Sequence, residues 1–140
     1  MKYLDTNIIG YAIEDHEKYG SSCKKILNDV QCGKIKVCCS ILVLVELINV
    51  IKKINKELKK KGRTELEMRA NIDAVLSLPI QWVEMEMFII KRAAEYNYNI
   101  AGADYIHIAT MEVNGVYEIL SADADFNVPQ HLKRIDPLEY

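Results

Sequence analysis

The feature that most limits how this chain can fold is a repeated change of pattern: short apolar runs without polar alternation are separated by longer stretches of helical periodicity. Lys2 to Asp5 reads as a strand ending in Asp5-Thr6-Asn7, whose polar side chains suit the start of a helix carrying Ile8, Ile9, Tyr11, Ala12 and Ile13. Ser21-Ser22 predicts the cap of a second helix to about Gln31, with Cys23, Ile26, Leu27 and Val30 on one stripe and Gly33 beyond its end. Ile35 to Cys39 follows as a strand. A long helix is expected from Ser40, apolar nearly all round to Ile51 and amphipathic to about Lys60, with Gly62 breaking it. Thr64-Glu65-Leu66-Glu67 has the spacing of a helix cap with an acidic first turn, and predicts a helix to about Leu78 before Pro79 stops it. Ile80 to Val83 is a strand, Glu86 to Tyr98 and Ala103 to Asn114 are helices, and Tyr117 to Leu120 and Leu132 to Ile135 are extended.

Strands that are apolar throughout and alternate with helices imply an α/β fold with a parallel sheet covered on both faces. A chain of 140 residues, half of them apolar, is expected to form one domain spanning 1–140. Its net charge of −2, three prolines and six glycines point to neither disorder nor a fibrous class, and name no partner. Ile41 to Ile51 is too short for a bilayer span and reads as a buried helix. Asp5 stands where a secretion signal needs apolar residues. Cys23, Cys32, Cys38 and Cys39 include no C-x-x-C pair, and adjacent Cys38 and Cys39 point to opposite faces of a strand, so reduced, structural cysteines are expected. A cytoplasmic location follows from these readings.

Ligand sites in such a sheet lie beyond the carboxyl ends of the strands. Three acids fall there: Asp5 ends the first strand, Asp123 follows Tyr117 to Leu120, and Asp104 enters a helix after Ala101-Gly102-Ala103. Each taken alone is equally well read as a helix-capping residue. Glu46 lies within Ile41-Leu42-Val43-Leu44-Val45-Glu46-Leu47-Ile48, where a lone carboxylate costs several kcal/mol at least, so it must be protonated, paired with a base or neutralised by a metal. Asn49, one turn on, could extend the same polar site. Gathered carboxylates repel, and a divalent cation resolves the conflict. Oxygen ligands without clustered Cys or His favour Mg2+ or Mn2+, one or two ions, over zinc. Such a site suits hydrolysis of a phosphodiester by a metal-activated water.

Tyr3-Leu4-Asp5-Thr6-Asn7-Ile8, Val45-Glu46-Leu47, Ala103-Asp104-Tyr105-Ile106-His107-Ile108-Ala109 and Ile119-Leu120-Ser121-Ala122-Asp123-Ala124-Asp125-Phe126 together resemble, in order and spacing, the PIN domain. That resemblance implies a three-layer α/β/α sandwich around a mainly parallel sheet and a Mg2+- or Mn2+-dependent endoribonuclease. Carried over by position, it makes Asp5, Glu46, Asp104 and Asp123 the metal-binding and catalytic acids. Thr6, Asn7 and Ser121 are assigned to hydrogen-bonding support of these acids, and Asp125 is either an additional ligand or a turn residue. Many short proteins of this kind are VapC-like toxins paired with a small antitoxin whose tail enters the acidic groove, so an antitoxin partner and a homodimer are implied. The apolar helices Ile8 to Ile13 and Ile41 to Ile51 are the candidates for the dimer contact. Lys52 to Arg69 would elaborate the helical clip beside the groove.

Lys52, Lys56, Lys59 and Arg63 fall near one helical face of a basic tract, and are the candidates for RNA contact. An ordinary solvated helix face is the competing explanation. His107 shares a helical face with Asp104 and reads as a core or supporting histidine ahead of a ligand or general base. Trp82, Tyr96 and Tyr98 read as packing residues before base-stacking ones. Two rivals stand beside the nuclease. One is a catalytically silent binding module of the same fold, separated from it by metal-dependent turnover. The other is a phosphotransfer domain with an aspartate nucleophile after the first strand, which Asp5-Thr6-Asn7 disfavours because no second Asp follows two residues later.

Overall fold

The computed structural model describes residues 1–140. In chain order the elements are β1 (Lys2–Leu4), α1 (Thr6–Ile13), α2 (Gly20–Gln31), β2 (Val37–Ser40), α3 (Leu42–Lys60), α4 (Met68–Leu76), β3 (Ile80–Val83), α5 (Met87–Ala93), α6 (Gly102–Val113), β4 (Glu118–Leu120) and β5 (Lys133–Ile135), with short 3-10 turns at Ala124–Asn127 and Pro137–Glu139. All five strands pair in parallel, in the order β3-β2-β1-β4-β5. The chain leaves the central strand β1 towards β2 and β3, then crosses back to lay β4 on its other side. The carboxyl ends of β1 and β4 therefore border the crevice where an open parallel sheet presents its ligand site.

The strands are too short to show a longer pattern, yet their alternation sorts the core. Leu4, Val37, Cys39 and Leu120 join Ile8, Ile9, Ile26, Val30, Val43, Leu47 and Ile51 on the face covered by α1, α2 and α3. Tyr3, Cys38 and Ile119 point the other way, against Ile108 and Met111 of α6 and against Phe126. Ile89 and Ala93 of α5 pack on Ala109 of α6. Helices thus cover both faces, and each fully buried Ile or Leu contributes about 1.5–3 kcal/mol of burial. The four cysteines are free, and Cys38 and Cys39 do face opposite layers. Gly10 lets α1 approach α3 closely, since a Cβ there would meet Val50 Cγ1 at 3.1 Å and the valine would have to shift slightly. Gly62, at φ +64°, ends the long helix in a conformation that other residues resist.

Several boundaries differ from the sequence reading. Ser21 and Ser22 lie inside α2, which starts at Gly20 without a side-chain cap. Thr64 caps nothing: α4 begins at Met68, and the preceding loop is instead held by Asn55, whose side chain accepts from the Leu66 amide at 2.7 Å and donates to its carbonyl at 3.0 Å. The helix expected to reach Tyr98 ends at Ala93, since Tyr96 and Tyr98 turn back to pack with Tyr105. Nor is α3 buried all round, because Val45, Ile48 and Asn49 face outward. By contrast, Ile8 and Ile9 of α1 are consumed by the core and offer no dimer contact. No helix is long and apolar enough to cross a membrane.

Candidate active site

Asp5 stands one residue past β1, and its side chain is fixed by three donors. Its Oδ1 accepts the Thr6 amide at 2.8 Å, and its Oδ2 accepts Asn7 Nδ2 at 2.9 Å and the Ser121 hydroxyl at 2.6 Å. The capping role and the site role are thus combined in one residue. Ser121, the first residue beyond β4, is fully buried and is the hub of this half. Besides donating to Asp5, its oxygen accepts from Asn7 Nδ2 at 3.1 Å and from the Asp123 amide at 3.0 Å. Asn7 completes the bridge between the two strand ends by accepting the Ala122 amide at 3.2 Å. Burial pushes the Asp5 carboxyl up, against the opposing pull of His107, Ser121 and Thr6.

Glu46 enters from α3, and the cost foreseen for its burial is met by pairing with a base. Its Oε1 receives the Thr6 hydroxyl at 2.8 Å and His107 Nε2 at 2.6 Å, and its side chain is 29% exposed. Burial works to raise its pKa, but the His107 and Thr6 hydrogen bonds prevail and hold the carboxyl below its usual range. His107 is completely buried; burial disfavours its charge, yet Glu46, Asp5 and Asp104 together raise its pKa. On its far side the ring meets the Tyr3 hydroxyl at 2.7 Å.

The remaining acids are held more loosely. Asp104 lies in the first turn of α6, and Asp123 caps the 3-10 turn by accepting the Asp125 amide at 2.9 Å. The carboxylates of Asp104, Asp123 and Asp125 converge so that one oxygen from each lies within 4.8 Å of the others. Asp104 is pushed up to about 7, by burial first and then by Asp5, Asp123 and Glu46, with His107 opposing. Three converging hard oxygen donors, one of them unable to ionise fully at neutral pH beside its neighbours, fit a divalent cation of the Mg2+ or Mn2+ kind.

Of the acids singled out from sequence, Asp104 and Asp123 converge with Asp125, while Asp5 and Glu46 stand outside that trio and are joined to it through neighbouring residues. Asp5 reaches Asp123 through Ser121, and Glu46 reaches Asp104 through His107, one turn along α6. Asp125, read as ligand or turn residue, is both in the acidic trio and in the turn. Thr6 donates to Glu46, and Asn7 and Ser121 donate to Asp5. Asn49 is exposed and does not extend the polar site. It lines an open groove with Val50, Lys52, Lys53 and Lys56 on α3. Lys59 is exposed on the same helix, whereas Arg63 lies beyond the helix end, its amide donating to the Leu58 carbonyl. Tyr3 was missed as a polar contributor, since a tyrosine within an apolar strand reads as core, and its partner is 104 positions away. Arg134, also unforeseen, donates to the Ser121 carbonyl at 2.9 Å and pairs with Asp136 at 3.0 Å.

Comparison with solved structures places this arrangement on a known fold. VapC20 of Mycobacterium tuberculosis, a toxin that cleaves the sarcin-ricin loop, is similar with TM-score 0.68 and 15% identity, over 91% of this chain and 93% of that one. VapBC2 of Rickettsia felis, bound to a promoter DNA fragment, is similar with TM-score 0.67 and 19% identity, over 96% and 98%. A toxin-antitoxin complex from Klebsiella pneumoniae matches with TM-score 0.62 and 17% identity, over the full length of both chains. No curated protein matches the chain at a comparable level of significance. The family model of the PIN domain matches residues 2–131, and with the parallel sheet and its acidic crevice in place the chain belongs to the PIN domain family.

Proposed function

We propose that residues 1–140 form a single nuclease domain, a Mg2+- or Mn2+-dependent endoribonuclease that acts as the toxin of a VapBC-type pair. The observation that carries this reading is the convergence of Asp104, Asp123 and Asp125 within 4.8 Å in the crevice beside the ends of β1 and β4. Membership of the PIN domain family and likeness to toxin structures support it.

In this reading Asp5, Glu46, Asp104 and Asp123 hold one or two ions, with Asp125 at the outer edge. Bound there, a divalent cation supplies an activated water and neutralises charge on the phosphate. The chain's own part is orientation. Asp5, with three hydrogen bonds made, presents the free lone pair of Oδ1; Glu46 presents Oε2, which no donor of the protein engages. Lys52, Lys56 and Lys59 draw the RNA backbone towards the site from α3, with Arg63 at its end, and their contribution weakens as salt is raised. An antitoxin segment competes for the same crevice. Val45 and Ile48 on α3, with Met87 and Phe88 on α5, supply exposed apolar surface for a homodimer. The free cysteines agree with a cytoplasmic location.

The test is cleavage of a panel of single-stranded and structured RNAs by the wild type and Asp5→Asn, with Mg2+, with Mn2+ and with EDTA. Cleavage that needs both metal and Asp5 is the expected result. RNA binding without cleavage under every metal condition would replace the nuclease with a silent binding module.

A further inference from the structure

Two details of the polar network go beyond holding four acids together. Both donors to Glu46 converge on the same oxygen, Oε1, and each comes from a residue close in sequence to another acid of the site: Thr6 follows Asp5, and His107 lies one helical turn after Asp104. Behind His107 the network continues into the sheet. The Ser40 amide donates to the Tyr3 oxygen at 2.9 Å, and the same hydroxyl is hydrogen-bonded to His107 Nδ1 at 2.7 Å. His107 Nε2, on the other side of the ring, is hydrogen-bonded to Glu46 Oε1 at 2.6 Å. Tyr3 and His107 are both completely buried, so no water competes for these bonds.

We propose that Tyr3, His107 and Thr6 form a positioning relay that locks the carboxylate of Glu46 by its Oε1 and reserves Oε2 for a bound divalent cation. The inference rests on the reading of Glu46 as a metal ligand. A glutamate on a helix has three side-chain torsions to order before it can bind a cation, and two donors on one oxygen order them in advance. The relay also ties ligand to ligand: α6 carries Asp104 and the support of Glu46 on one face, and the start of α1 carries Asp5 as its cap and Thr6 as the second support. Tyr3, His107 and Thr6 touch no reacting atom; they act through Glu46.

The relay is tested by Mn2+ binding to the metal-stripped protein without RNA, read from the electron paramagnetic resonance of free Mn2+, with circular dichroism and melting followed in parallel. The expected result is that His107→Asn, which loses the Nε2 donor, weakens Mn2+ binding by about tenfold or more. His107→Gln, whose amide nitrogen reaches the Nε2 position, recovers most of that loss. A purely structural histidine would not distinguish the two amides. Equal losses for Asn and Gln, or wild-type affinity in a folded His107→Asn while Glu46→Gln has lost binding, overturn the relay alone. Wild-type affinity in Glu46→Gln overturns the ligand assignment first and the relay with it. Should Asn at 107 fail to fold, Tyr3→Phe and Thr6→Val read the same relay from its two ends, and unchanged Mn2+ affinity in both overturns it.

Discussion

The two halves of the acidic crevice are built differently. Around Asp5 and Glu46 nearly every polar atom has a partner, and Asp5, Thr6, Ser121 and His107 are buried. Around Asp104, Asp123 and Asp125 the carboxylates face one another with few donors between them, and Asp125 is exposed. The first half is held in its geometry by the fold itself. The second is a concentration of like charge that becomes comfortable only when something positive enters. In the proposed reading a site divided in this way would separate two jobs, one side defining where a cation sits and the other providing most of the attraction for it.

The largest effects should appear where the attraction is removed. Asp104→Asn is expected to lower RNA cleavage by more than about a hundredfold, because loss of even a residue that supports a ligand costs 10–100-fold and Asp104 is assigned as a ligand itself. Initial rates across a Mn2+ titration check this; a rate within tenfold of wild type at saturating metal would remove Asp104 from the ligand set. Ser121→Ala attacks the other half. It strips the hub from Asp5, Asn7 and the Asp123 amide together, so metal affinity should fall by about 10–100-fold. Stability should fall by about 1–3 kcal/mol through the donors left unpaired, as denaturant unfolding will read.

Thermal stability without metal should separate the halves most cleanly, because the same Asp→Asn change has opposite consequences. Asp104 has a folded-state pKa of about 7, above its ordinary 3.8, so the folded chain holds that proton more tightly than the unfolded chain. Its contribution to stability is fully present below the unfolded value and is lost as pH rises through about 7. Asp104→Asn should therefore raise the melting temperature at pH 8 by a few degrees, with the gain vanishing towards pH 4. Asp5 is also pushed up by burial, but an amide there would place two hydrogens against Asn7 Nδ2, a donor, and Ser121 Oγ, whose lone pairs already accept Asn7 and the Asp123 amide. Asp5→Asn should melt no higher than the wild type at pH 8. A matching gain in both variants would mean that the two halves are electrostatically alike.

The same division decides what sequence could reveal. Asp5, Asp104 and Asp123 are legible because each interrupts an apolar element at a strand end or helix start, and Glu46 because it is a charge within an apolar run. The layer arrangement is legible for a related reason: adjacent Cys38 and Cys39 must serve opposite faces once their strand lies inside a covered sheet. What supports the acids is harder to see, since those contacts join residues remote in the chain, as Tyr3 with His107 and Asn7 with Ser121. Helix ends are the least legible, because tertiary contacts set them. Ser21, Ser22 and Thr64 have the chemistry of caps, but tertiary contacts start α2 and α4 elsewhere, and the aromatic cluster of Tyr96, Tyr98 and Tyr105 ends α5 before its propensity does.

The smallest expected effect concerns Asp125, and it tests where the open half stops. Its backbone amide already does a structural job by capping onto Asp123, a contact that any side chain at position 125 would preserve. Its carboxylate is the third member of the converging trio, but it lies on the solvent side, where water can take the place of a lost oxygen ligand. Asp125→Asn should thus keep the turn, leave the melting temperature within about a degree, and weaken Mn2+ binding by only a few fold, as one charge is removed from a solvated position. A loss as large as that of Asp104→Asn would move Asp125 into the inner set of ligands. The open half would then be a compact three-carboxylate clasp whose geometry is set by the 3-10 turn after β4 as much as by α6.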